Sequence, residues 1–208
     1  MNRQFGRLSL SLIVLALGSA PAFAHHVMGG RTPATFVEGV LSGLGHPVIG
    51  LDHLAAVVAI GCLAAAHREG YALAVAFVLA MVAGVALHLQ GATVPGAEIL
   101  VALSVIALGA LMLRHRQMPA GAALVLFAII GAIHGYALGE SIYGAEPTPL
   151  YAYLLGLAVI QSAIALAAAK IARGLAQRSS DLLPLRLVGA GIAGIGLAIL
   201  VQQVIPAV

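Results

Sequence analysis

Polar residues in this chain fall in narrow bands, and between them run apolar stretches long enough to cross a bilayer. The simplest stretches lie at about 70–90, 95–114, 119–141, 149–172 and 183–205, each bounded by polar, Gly or Pro residues. A bilayer core of about 30 Å needs roughly 20 helical residues, so each reads as one crossing. The run from Ala34 to Ala66 is different. Its about 33 residues would make a straight helix of roughly 50 Å, too long for one crossing. It is expected to break: a short interfacial or re-entrant helix at 34–45, an interruption near His46-Pro47 and Gly50, and a spanning helix at about 50–66. Thr32-Pro33 and the Thr35-x-x-Glu38 spacing mark the helix start.

The first residues follow another pattern. Arg3 and Arg7 precede the apolar run Leu8 to Leu17, and Ala22-Phe23-Ala24 supplies a small-x-small cleavage signal. Residues 1–24 are therefore expected to be a cleavable signal peptide, leaving 25–208 as a single transmembrane bundle domain that starts at His25-His26. The fold class expected is all-α, a polytopic membrane helix bundle with six transmembrane helices after cleavage and a broken first span. Composition agrees, since hydrophobic residues make up 62% of the chain and charged residues only 8%, which leaves no room for a sizeable soluble domain. The single cysteine, Cys62, excludes an internal disulfide and a Cys-rich metal site.

The few charges set orientation and not a nucleic-acid face, although the net charge is +3. Arg68, Arg114 with Arg116, and Lys170, Arg173, Arg178 and Arg186 occupy alternate connections, while the 146 loop carries Glu146. The positive-inside rule puts the basic set in the cytoplasm, with the mature N- and C-termini on the periplasmic side of the inner membrane. Both this rule and the signal peptide point the same way.

Ionisable groups inside apolar spans are costly and usually mark a function. His46, Asp52 and His53 lie in one such segment; His134 and Glu140 lie in another, around Gly135 and Gly139. In the expected orientation both groups fall toward the outer side, where His88 also sits. Imidazole with carboxylate suits a divalent first-row ion such as nickel, cobalt or zinc. A buried His-Asp pair that merely locks a kink is the competing reading for the first group, and an ordinary headgroup charge for Glu140. His25 and His26 could collect metal outside the membrane or form a solvated tail, and His88 could be an accessory ligand or an interfacial histidine bonded to backbone. Gln161 and Ser104 read most simply as helix-to-helix hydrogen bonders, or as lining an exit path. Glycines at 39 and 43 and from 189 to 196 suit close helix approach.

His46 followed after five residues by Asp52-His53, together with His134-Gly135 and Gly139-Glu140, resembles the paired signatures of the HupE/UreJ family of nickel permeases. The resemblance extends over essentially the whole mature chain. It implies a secondary transporter for nickel, or cobalt, that supplies hydrogenase or urease maturation, with His46, Asp52, His53, His134 and Glu140 as the functional residues. The chain departs from the pattern at Ile133, where an aromatic commonly precedes the histidine, and at Gln161-Ser162, where the fifth span often carries a histidine. No enzyme activity and no prosthetic group are expected; the partners are the transported divalent ion and the bilayer, with no nucleic acid. No phosphate-binding loop is present, so uptake would not be driven by ATP hydrolysis within this chain. The alternatives are an intramembrane zinc-dependent hydrolase with Glu140 as general base, and a non-transporting metal sensor or accessory subunit.

Overall fold

A computed structural model describes residues 31–114, 118–178 and 181–205. The expected signal peptide and the His25-His26 pair lie outside the described residues. Seven α-helices follow one another: α1 Phe36–Ile49, α2 Leu51–Ala64, α3 Gly70–Leu89, α4 Ala97–Leu113, α5 Ala120–Gly139, α6 Pro147–Arg178 and α7 Leu183–Val204, with a short 3-10 turn at Glu140–Ile142 after α5. Among the described residues there is no strand.

The start of α1 forms as its spacing predicts. Thr35 Oγ1 accepts the Glu38 N–H at 3.2 Å, and the Glu38 carboxylate accepts the Thr35 N–H at 3.2 Å and the Ala34 N–H at 2.7 Å, so donors that a helix start leaves orphaned are satisfied. The break falls at the far end of the expected stretch, residues 45–50. The first helix does not end near His46-Pro47; it continues through Pro47 to Ile49, and the chain turns at Gly50, where α1 and α2 meet at a bend of 78°. A proline removes one ladder bond only, and here the next turn is closed by the Gly50 N–H donating to the His46 carbonyl at 2.9 Å. The backbone leaves the helix at Gly50, with φ −71° and ψ 102°, and that dihedral pair is open to any residue. What Gly50 provides is space. A Cβ there would stand 2.9 Å from His53 Cδ2 and 3.2 Å from Asp52 Oδ1.

Close backbone approach organises the rest. Gly39 and Gly43 of α1 meet α6 at Pro149 and Tyr153, and Gly61 of α2 meets it again at Ala165, so the bent pair and α6 run side by side in the same direction. Helices α3 and α5 are likewise parallel, with Gly131 on Phe77, Gly135 on Met81 and Gly139 on His88. Helices α4 and α7 are antiparallel, Gly109 lying on Gly189 and Ala193 and Gly196 on Ile106. Small residues let helices pack closely where no hydrophobic effect drives them together. Ile60, Phe77, Leu108, Phe127 and Tyr153 fill the space between the helices, while Val37, Leu79, Val125, Val159 and Leu187 stay exposed on the outside. An apolar exterior of this kind fits lipid.

By length and composition α3, α5 with its 3-10 turn, α6 and α7 can each cross a membrane, and the bent α1–α2 pair makes a fifth candidate. Helix α4 is apolar but has 17 residues. The protein is a multi-pass membrane protein. Helix α6 extends past the expected end at 172 to Arg178; no proline interrupts it, and it continues through Gly174. In that extension the Arg173 guanidinium lies 4.5 Å from the Tyr71 ring centroid and donates to the carbonyls of Ala65 and His67 at 3.4 and 3.5 Å, clasping the α2–α3 connection.

Candidate metal centre

The bend at Gly50 puts the last turn of α1 beside the first turn of α2, and this is where polar side chains enter the apolar interior. His46, Asp52, His53, Ser104 and His134 are all buried, His134 with 0% exposure. They come from α1, α2, α4 and α5. Asp52 stands in the first turn of α2, and its Oδ1 accepts the His53 N–H at 2.8 Å. Unpaired N–H groups and the helix dipole favour a carboxylate at that end, which offsets part of the cost of burying it. His53 Nε2 is 3.9 Å from the same oxygen. On one side the His46 ring meets His53 edge-on, with centroids 5.9 Å apart. On the other, His134 meets it at 5.1 Å.

The histidines are linked through their ring nitrogens. His53 Nδ1 and His134 Nδ1 are 2.9 Å apart, and His134 Nε2 is 2.8 Å from Ser104 Oγ. The Ser104 hydroxyl in turn lies 2.7 Å from the Val101 carbonyl one helical turn back. A continuous hydrogen-bonded line thus crosses three helices, α2, α5 and α4. It leaves His53 Nε2 and the Asp52 carboxylate as neighbouring donors on the side of Gly50. Two metal–ligand bonds of about 2.1 Å span up to ~4.2 Å, so a cation could bind both atoms with little movement. Among the described residues, no group of three or more His, Cys, Asp or Glu side chains is drawn together to hold an ion. The Nδ1 atoms of two of the histidines are engaged with each other instead.

Of the residues expected from sequence, His46, Asp52, His53 and His134 meet at the bend. Glu140 does not join them: it is exposed, on the 3-10 turn after α5. His88 is half-buried at the end of α3, its ring 4.7 Å from that of Tyr136 and 5.6 Å from that of Tyr143. Ser104 belongs to the cluster, although as a lone hydroxyl in an apolar helix it reads as an ordinary interhelical bond. Two tyrosines secure the surroundings. Tyr136 Oη donates to the Ala92 carbonyl at 2.8 Å and accepts the Val94 N–H at 3.0 Å, and Tyr153 Oη donates to the Leu138 carbonyl at 2.9 Å, tying α5 to the α3–α4 loop and to α6.

The family model described as "HupE / UreJ protein" matches residues 13–199. The chain belongs to the HupE/UreJ family. The curated protein named "Protein HupE" from Rhizobium leguminosarum bv. viciae is 34% identical over 104 residues, which are 49% of this chain and 50% of that protein. The chain thus spans about half the length of the curated relative it matches. No solved structure matches the chain. The HupE/UreJ family is a membrane permease family associated with metal transport.

Proposed function

We propose that this protein is a secondary transporter that carries Ni²⁺, or Co²⁺, inward across the inner membrane and so supplies hydrogenase or urease maturation. The observation that carries the reading is the convergence of His46, Asp52, His53 and His134 at a helix bend inside an apolar bundle. A buried carboxylate and imidazoles are expensive in such a place, and a transported cation is a partner that offsets the cost. Family membership supports it and favours transport over the hydrolase alternative.

In this reading the bent pair and α3 to α7 make six crossings, with both mature termini in the periplasm. The ion is captured from outside, exchanges part of its water shell for His53 Nε2, the Asp52 carboxylate and His46, and passes inward. Glu140, exposed at the outer end of α5, attracts the cation before it reaches the buried donors, while His25 and His26 do the same from the N-terminal segment and His88 from the end of α3. A divalent cation moving inward gains roughly 4.6 kcal/mol per 100 mV of inside-negative potential, twice the single-charge value, so no pump is required.

The test is ⁶³Ni²⁺ uptake into proteoliposomes containing the full chain alone, under an imposed inside-negative potential. Wild-type protein is expected to take up nickel, and Asp52→Asn and His53→Ala to lose at least tenfold in rate while remaining folded. Wild-type uptake no faster than into empty vesicles would overturn the reading.

A further inference from the structure

A neutral imidazole carries one hydrogen on its two nitrogens, and a serine hydroxyl carries one hydrogen. These counts restrict the line that runs from Val101 through Ser104 and His134 to His53. The line has two self-consistent directions. In one, Ser104 donates to His134 Nε2, His134 Nδ1–H donates to His53 Nδ1, and the remaining hydrogen of His53 sits on Nε2, facing Asp52. In the other, the Ser104 hydrogen goes to the Val101 carbonyl, Ser104 Oγ accepts from His134 Nε2–H, His134 Nδ1 accepts from His53 Nδ1–H, and His53 Nε2 carries a lone pair. Only the second leaves His53 able to bind a cation, since ligation needs a deprotonated ring nitrogen. It requires that Ser104 have somewhere else to place its own hydrogen. The Val101 carbonyl, 2.7 Å away, is that place.

Resting on the permease reading, we infer that Ser104 is a positioning residue of the metal centre: by accepting from His134 Nε2–H while donating to Val101, it holds His134 and His53 in the ring forms that free His53 Nε2 for the ion. His134 accordingly acts through His53 and is not itself a ligand. Both its nitrogens are engaged, Nδ1 with His53 at 2.9 Å and Nε2 with Ser104 at 2.8 Å, and its ring is wholly enclosed by protein. The arrangement is the familiar one in which a metal-binding histidine gives its other ring N–H to a neighbour that orients it. Here that neighbour is a second histidine, whose own orientation is set one bond further on by a hydroxyl.

The isosteric pair Ser104→Thr and Ser104→Val separates hydroxyl from shape. Two measurements on the full-length protein are needed. In detergent micelles with ¹⁵N-labelled histidine, ring-nitrogen shifts should show His134 protonated at Nε2 and His53 at Nδ1 in nickel-free protein titrated with diamagnetic Zn²⁺. Ser104→Thr should keep this pattern and Ser104→Val should lose it. In proteoliposomes Ser104→Val should raise the KM for Ni²⁺ uptake by roughly 10- to 100-fold, the range for outer-shell partners of a metal site, with Ser104→Thr near wild type. Thr and Val variants that match in both measurements would overturn the proposal, as would Zn²⁺-loaded wild type with the hydrogen of His53 on Nε2. If wild-type vesicles take up no nickel it is the permease reading that fails, and the ring-nitrogen shifts still decide the role of Ser104.

Discussion

The polar residues buried at the bend are explained by what their atoms meet. Asp52 is held by a helix start, His134 by two hydrogen bonds and Ser104 by a carbonyl of its own helix. Gln161 is different. It is fully buried on α6, its amide N–H₂ meets the Met81 sulfur, and its Oε1 has no hydrogen-bond partner among the described residues. A buried acceptor left unpaired costs on the order of 1–3 kcal/mol, more than a thioether contact returns. Gln161→Leu, close in volume, is therefore expected to raise the melting temperature of the purified protein in detergent, equivalent to about 1 kcal/mol. Thermal unfolding of the two proteins side by side checks this; a clear fall would mean that the oxygen has a partner. Position 161, where the family resemblance implies a histidine, is thus filled here by an amide that meets Met81.

At the scale of the element, the bend between α1 and α2 builds the site, because it sets the His46 ring edge-on to that of His53 while leaving Asp52 at a helix start. The sequence placed the interruption among residues 45–50, between Pro47 and Gly50, without deciding which of the two turns the chain. Pro47 announces a lost hydrogen bond, whereas Gly50 announces nothing beyond permissiveness, and the space that Gly50 spares exists only once His53 and Asp52 are folded against it. Two substitutions distinguish these roles. Gly50→Ala is compatible with φ −71°, yet its methyl group would press on His53 Cδ2 at 2.9 Å and on Asp52 Oδ1 at 3.2 Å. It should slow nickel uptake about tenfold or more with a melting temperature within a few degrees of wild type. Pro47→Ala restores one ladder bond in a helix that already continues through the position. Spin labels placed on α1 and α2 should report the same separation in this variant as in wild type, and a straightened pair would return the break to Pro47.

The whole molecule is an arrangement of three closely packed partnerships: the bent pair with α6, α3 with α5, and α4 with α7. Their directions, parallel in the first two and antiparallel in the third, agree with the six-crossing arrangement proposed above. This makes topology testable. Because Cys62 is the sole cysteine, Cys62→Ala provides a background for single reporters at exposed positions. Glu146→Cys, in the α5–α6 connection, should react with a membrane-impermeant maleimide added to intact spheroplasts. Arg178→Cys, at the end of α6, should react only after the membrane is opened. The reverse pattern would invert the molecule and put the buried histidines on the cytoplasmic side.

The hydropathy runs by themselves determined that the chain is a helical membrane protein, roughly where its helices lie, and which ionisable groups are out of place. Those features depend on local composition and on the cost of burying charge, and both can be read along a line. The paired signatures around His46-Asp52-His53 and His134 also carried the family. Tertiary structure alone decided that Glu140 stays at the surface and that, of Pro47 and Gly50, it is Gly50 where the chain bends. It alone made Ser104, 30 residues from His134 in sequence, the terminus of a hydrogen-bonded line. The physical reason is that helix packing brings together atoms from distant turns, and a hydroxyl is read as interhelical glue until the nitrogen it faces is known.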